Sequence, residues 1–246
     1  QRQMCIRDRI ALNEKRERIS VLNDYDSYLQ KLEQQLAKKE KELAQISDEV
    51  SEIRQKSAVK LVSEIKSALN DLNFLDVQFD MQFDRLPDYT ANGIDAPEFL
   101  ISTNPGEPLK PLGKVASGGE LSRIMLGIKT IMAENDHIES LIFDEIDSGI
   151  SGRTAQMVSE KMNELGRNHQ IICITHLPQI AAMADAHFLI EKAVENKSTV
   201  SRIRRLSDND SVAELARMLG GAKITDTVME SAREMKALAM EKKALS

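Results

Sequence analysis

The 246-residue sequence contains no Trp, and aromatic residues make up only 4% of it. So few rings argue against base stacking on aromatic platforms as its main occupation. Cys5 and Cys173 are the only two cysteines, too few for a disulfide framework, so a reducing cytoplasm is the expected setting. No apolar run approaches the roughly 18 residues of a membrane span, and the N-terminus lacks an apolar stretch of signal-peptide type, so no membrane partner is expected. Positive charge is in deficit as well. Lys+Arg number 33 against 39 Asp+Glu, a net charge of −6, which argues against a dedicated DNA-binding domain while leaving room for a local basic patch. What is present, 41% apolar and 29% charged residues, suffices for one core plus an extended element.

The first seventy residues differ in character from the rest. Leu22, Tyr25, Leu29, Leu32, Leu36, Lys39, Leu43, Ile46, Val50 and Ile53 follow one another at alternating spacings of three and four. Residues 22–70 contain neither Gly nor Pro. This pattern predicts a long helix with a coiled-coil seam over residues 10–70. Lys39 is tolerable in the seam because its stem can lie along apolar surface. Residues 1–9 (QRQMCIRDR) do not continue the seam and are left unassigned.

Past Asn70 the period changes. Val77, Phe79, Met81 and Phe83 alternate with polar residues, the mark of a half-buried strand. Pro87 and Asn92-Gly93 supply turn chemistry, residues 98–103 read as a returning strand, and residues 104–113 as an irregular proline-rich loop. Helices are expected at 120–134, 152–167, 178–184, 211–219 and 225–242. Strands are expected at 140–143, 170–175, 186–191 and 199–205. The alternation predicts an α/β lobe over residues 71–246 with a partly parallel sheet.

Three segments carry chemistry. Ser117-Gly118-Gly119-Glu120 lies at a loop-to-helix junction, where glycines permit close approach and a helix start offers free N–H groups to phosphate; it could equally be a plain N-cap. Leu141-Ile142-Phe143-Asp144-Glu145 is an apolar strand ending in two carboxylates at the sheet's carboxyl edge. Neighbouring strand residues face opposite ways, so one acid could hold Mg²⁺ through water while the other acts as a base. Two solvated acids are the simpler alternative. Ile171-Ile172-Cys173-Ile174-Thr175-His176 ends in a histidine at the same edge, which is either structural or a phosphate contact. His137, His169 and His187 have no partners at metal-ligand spacing, so no zinc site is expected. Cys173, inside an apolar run, reads as inert packing.

Together these residues resemble the ABC-type ATPase heads of the SMC class. SGGE is similar to the signature motif, LIFDE to the Walker B strand and ITH to the switch histidine. Within that class the sequence most resembles the RecN family of bacterial DNA-repair proteins. That resemblance rests on EFLISTNPGEPLKPLGKVASGGELSR, FDEIDSGISGRTA and ITHLPQIAAMAD, and it covers residues 70–246. It implies that Ser117, Gly118 and Gly119 touch the γ-phosphate of ATP held by a second head, with Glu120 and Arg123 supporting the loop. It also implies that Asp144 positions Mg²⁺ through water, Glu145 is the general base and His176 senses the γ-phosphate. Residues 147–151 correspond to the D-loop that helps join two heads; Ser151 stands where many ABC proteins have Asp.

A complete ATPase of this kind needs G-x-x-x-x-G-K-[ST], and the sequence has none. Six residues separate Gly106 from Gly113 where the motif has four, and Val115 offers no hydroxyl to Mg²⁺. The resemblance therefore implies the C-terminal half of a split head, inactive alone. Its expected partners are an N-terminal half carrying the P-loop, a second head, and DNA through the assembled protein. A coiled-coil docking protein without activity, or a head of another SMC-class ATPase, is the alternative. Arg202, Arg204 and Arg205 form the densest basic cluster of the lobe; they read as a possible phosphate-contacting edge or as charge guarding an edge strand.

Overall fold

The computed structural model describes residues 2–74, 76–115, 117–133, 138–195, 198–221 and 223–245. Helix α1 (Arg2–Asp71) is followed by strands β1 (Gln78–Thr90), β2 (Gly93–Ser102) and β3 (Lys110–Pro111) and a 3-10 turn (Leu112–Lys114). Then come α2 (Gly118–Met132), β4 (Ser140–Phe143), α3 (Gly152–Leu165), β5 (Gln170–Cys173) and α4 (Pro178–Ala182). The strands β6 (Phe188–Glu195) and β7 (Ser198–Arg205) precede α5 (Asp208–Gly220) and α6 (Asp226–Leu245). This is a mixed helix and sheet fold with a long N-terminal helix. Among the described residues, no helix is long and apolar enough to cross a membrane.

Contacts divide the chain into two units. One holds α1 up to Ser57 with Phe83–Ala96; the other holds Ala58–Gln82 and Pro97–Ser246. In the first, helix α1 starts at Arg2 and so includes residues 2–9, which carry no seam. Absence of Gly and Pro keeps the helix unbroken. The seam residues Leu22, Leu36, Ile46 and Ile53 are all more than half exposed. A neighbouring face is partly covered by the tip of the β1–β2 hairpin. There Asp95 accepts from the Ser51 hydroxyl at 2.7 Å and from Arg54 at 3.0 Å, and Arg85 reaches Asp48 at 3.1 Å. Pro87 does not end β1, which runs to Thr90. β1 is an edge strand, where a missing N–H need not cost a ladder bond.

In the second unit, the last turns of α1 enter a core with β1, β2 and α2, built from Ile65, Leu69, Phe79, Ile101, Ile124 and Ile128. Gly127 marks the closest approach of α1 to α2, since a Cβ there would lie 3.2 Å from Leu69 Cδ2. A second cluster joins α2, β4, α3 and α4 through Leu126, Phe143, Val158, Met162 and Ile180. A third joins α4 to α5 and α6 through Ala181, Leu215, Ala216 and Ala232. The strands form three small sheets. β1-β2-β3 is one, β4-β5 is parallel, and β6-β7 is an antiparallel pair. The proline-rich loop is less irregular than its composition suggests, because Lys110 and Pro111 pair with Ile101 and Leu100.

Asp95 sits below the ordinary carboxylate pKa, chiefly through the Ser51 hydrogen bond and further through Arg54, against the opposing effect of burial. A lowered folded pKa stabilises at pH values above the ordinary carboxylate range, and the gain is lost as pH falls through the folded value. Asp95→Asn should therefore raise amide hydrogen exchange in residues 93–96 by about tenfold at neutral pH. The difference from the parent chain should vanish in acid.

Candidate functional site

The site grows from the start of α2 and the turns that follow β4 and β5. Ser117 is the N-cap of α2, with extended backbone (φ −98°, ψ 123°), and its oxygen accepts from the Glu120 N–H at 3.4 Å. This satisfies one orphan donor, and Glu120 places an acid in the first turn against the helix dipole. Gly118 is exposed and Gly119 buried. Gly119 is demanded by the chain's own backbone, whereas Gly118 faces only the tip of the Glu145 side chain. A Cβ on Gly118 would lie 2.7 Å from Glu145 Oε2, and one on Gly119 would lie 2.8 Å from Ser148 Cβ and 2.9 Å from the Glu145 carbonyl oxygen.

β4 ends at Phe143, so Asp144 and Glu145 lie in a turn beyond the strand, and strand alternation does not separate them. Their divergence has another origin. Asp144 Oδ1 accepts the Glu145 N–H at 2.9 Å, while Glu145 adopts a left-handed backbone with φ +56°. That conformation is costly for a residue with a side chain and persists only where its surroundings enforce it. The enforcing group is Arg123. Its buried guanidinium donates to the carbonyls of Ile146 at 3.1 Å and Ser148 at 2.8 Å and lies 5.6 Å above the Phe74 ring centroid. Burial pushes the Arg123 pKa down, opposed by nearby Glu120. Ser122 adds a hydrogen bond to the Asp144 carbonyl at 2.8 Å.

Asp147 turns inward. Its Oδ2 accepts from the Thr175 hydroxyl at 2.5 Å and the His176 N–H at 2.7 Å, and lies 3.0 Å from His176 Nδ1. The carboxylate is only 4% exposed, whereas the His176 side chain is 73% exposed. Of the segment 147–151, Ser148, Gly149 and Ser151 face solvent; Ser151 is the N-cap residue of α3 but its side chain makes no capping bond. The structure thus brings Ser117, Gly118, Gly119, Arg123, Asp144, Glu145, Asp147 and His176 around two neighbouring turns. Thr175 and Ser122 belong to the same network and escaped the sequence reading. Their one signal is a hydroxyl directly after an apolar run or one helical turn past the glycines.

Among the described residues no group of three or more His, Cys, Asp or Glu could hold a metal ion. His169 Nδ1 donates to the Ile138 carbonyl, 2.6 Å away, and His187 lies 3.0 Å from the Ser211 hydroxyl, its pKa pushed down chiefly by burial. His137 lies outside the described residues. Burial, then Asp147 and Asp144, push the Cys173 thiol up to about 12, so it is no nucleophile at neutral pH. Arg202 is registered opposite Glu191 and Arg204 opposite Leu189, and Arg204 lies 3.8 Å from Asp210. The basic cluster is thus flanked by one acid on its own sheet and one on α5.

The strands that support the turns have an uncovered side. Phe143, Leu141, Ile171 and Cys173 pack inward, but Ile142 is 69%, Ile172 46% and Ile174 50% exposed.

No family model matches the chain. Curated relatives do. The chain is 42% identical to the DNA repair protein RecN of Bacillus subtilis over 89% of its own length. It is 40% identical to RecN of Vibrio cholerae over 74%, and 47% identical to RecN of Treponema pallidum over 58%. The chain belongs to the RecN family. It spans 41% of the length of the B. subtilis relative and 33% of that of V. cholerae. A crystal structure of an Smc head domain with a coiled coil and joint from Pyrococcus yayanosii covers 66% of this RecN-family chain at 21% identity, with a TM-score of 0.48, the chain covering 29% of it.

Two substitutions probe the strain and the close approach. Glu145→Gly should raise thermal stability by about 1 kcal/mol by relieving the left-handed backbone, whereas Glu145→Gln should leave it unchanged. Gly119→Ala should lower stability by about 1–3 kcal/mol, because its methyl meets backbone that cannot yield. Thermal melts monitored by circular dichroism read both.

Proposed function

We propose that this chain is the signature-bearing, C-terminal half of a RecN-type head, which joins a P-loop half and a second head to bind and hydrolyse ATP in the repair of DNA double-strand breaks. The carrying observation is that the two acids, the histidine and the glycine-rich helix start meet at the ends of one parallel strand pair. An inert docking module has no use for that convergence. The apolar residues Ile142, Ile172 and Ile174, exposed on the far side of the same strands, support a missing half that covers them.

In this reading the start of α2 presents Ser117 and the N–H groups of Gly118 and Gly119 to the γ-phosphate bound on a second head. The fit is to one face of a triphosphate rather than to a whole nucleotide, since the phosphate cradle belongs to the other half. Asp144 fits Mg²⁺ through water. Its carboxylate is exposed and one oxygen is committed to the Glu145 N–H, which suits an ion that keeps most of its waters. When bound, Mg²⁺ would neutralise charge on the phosphates. Glu145 would take a proton from the attacking water, and its enforced backbone holds the carboxylate outward from the turn. Arg123 and Glu120 support these turns, and His176 faces the phosphate. Residues 148–151 offer the exposed part of the junction with the second head. DNA contact belongs to the assembled protein, with Arg202, Arg204 and Arg205 as the surface to test. The setting is the bacterial cytoplasm, on the nucleoid.

The chain alone should hydrolyse no ATP above buffer. Addition of a P-loop half should restore turnover, and Glu145→Gln should then abolish it while nucleotide binding persists. Robust hydrolysis by the chain alone would refute the split head. Paired Ile172→Arg and Ile174→Arg should leave the lobe folded, as judged by its melt, yet prevent co-elution with the P-loop half.

A further inference from the structure

Asp147 is a buried carboxylate whose Oδ2 accepts from the Thr175 hydroxyl and the His176 N–H and lies 3.0 Å from His176 Nδ1. A nitrogen lone pair facing an acceptor oxygen at that distance would be repelled, so the His176 nitrogen beside it carries a proton. In a neutral imidazole only one nitrogen does. The ring proton therefore sits on Nδ1, and Nε2 is left as a lone pair on a side chain that stands 73% exposed. Histidine in water prefers the other tautomer, so the protein imposes this one. The imposition is rigid. Thr175 donates to the same carboxylate oxygen and itself accepts the Leu177 N–H at 3.0 Å, while Asp147 lies between Ile146 and Ser148, whose carbonyls Arg123 clamps.

We propose that Asp147 is a positioning residue that fixes His176 in the Nδ1–H tautomer, so that Nε2 enters the nucleotide site as an acceptor. This rests on the reading that His176 faces the γ-phosphate, and it changes what that contact is. A phosphate oxygen is also an acceptor. The neutral ring therefore cannot donate to it through Nε2; it accepts from the attacking water or from a bound hydroxyl. It becomes a donor to phosphate only as the imidazolium, after Nε2 takes a proton from solvent, and then the buried carboxylate at Nδ1 holds the charge. Asp147 thus links the turn that carries Asp144 and Glu145 to the loop that carries His176. It does so without reaching a second head.

The test needs no partner. Long-range nitrogen–proton NMR on this chain with labelled histidine, at a pH where the ring is neutral, reads the tautomer directly, and His176→Gln assigns the signal among the four histidines. The expected result is Nδ1–H in the parent chain and a shift toward Nε2–H in Asp147→Asn. Thr175→Val, which keeps the carboxylate and the ring, should retain Nδ1–H and so exclude general loosening of the loop. Nε2–H in the parent chain, or an unchanged tautomer in a folded Asp147→Asn, overturns the proposal. With the P-loop half added, Asp147→Asn should lower turnover about tenfold while ATP binding holds. If the tautomer behaves as expected but neither Asp147→Asn nor His176→Ala alters turnover, the positioning stands and the phosphate-facing reading of His176 falls.

Discussion

The geometry of this lobe hangs on one buried cation. Arg123 is 7% exposed, and removing a guanidinium from water is expensive unless its donors are satisfied. Here they are aimed at two carbonyls of a single turn, Ile146 and Ser148, with an aromatic ring beneath. A turn held from inside by a charge cannot relax to a commoner conformation. Glu145 consequently stays left-handed, Asp147 stays inward, and Gly119 stays close against the backbone of Glu145 and Ser148. The signature helix and the acidic turn are thus one assembly, with Arg123 as the pin through it.

Charge distribution reinforces the arrangement. The carboxylate that is buried, Asp147, accepts two hydrogen bonds on Oδ2, whereas Asp144 and Glu145 are exposed. An acid at the surface is free to meet a ligand, and an acid kept inside serves as an anchor. Three carboxylates within four positions therefore have separate environments.

Much of this was legible in the sequence, for definite reasons. The seam from Leu22 to Ile53 and the unbroken run without Gly or Pro specify a helix because period and propensity agree. The strands at Ser140–Phe143 and Gln170–Cys173 are short apolar runs ending in polar residues, and that contrast fixes their ends. The sequence reading went astray where tertiary contacts override local pattern. It treated Asp144 and Glu145 as strand neighbours, but the turn begins one residue earlier and is set by Arg123, more than twenty residues distant. Asp147 was grouped with the exposed Ser148 and Ser151, although its partners Thr175 and His176 lie on another strand's exit. The unbroken apolar runs at Leu141–Phe143 and Ile171–Cys173 carry no alternation to tell the covered side from the bare one, and Ile142 and Ile172 prove exposed. Lys110 and Pro111 gave no strand signal, since a two-residue pairing has no period to detect.

The two glycines of the signature have a consequence for genetics. Gly119 is required by backbone contacts within its own chain before any ligand arrives, whereas a methyl on Gly118 meets only the end of the Glu145 side chain. A loss-of-function allele at Gly119 therefore reports packing and phosphate contact together, and one at Gly118 also displaces the Glu145 carboxylate, so complementation cannot separate the effects. Ser117 is different: Thr or Asn there preserves the helix cap while altering the group presented outward. Alleles at that single position are the ones from which a phenotype can be assigned to the nucleotide.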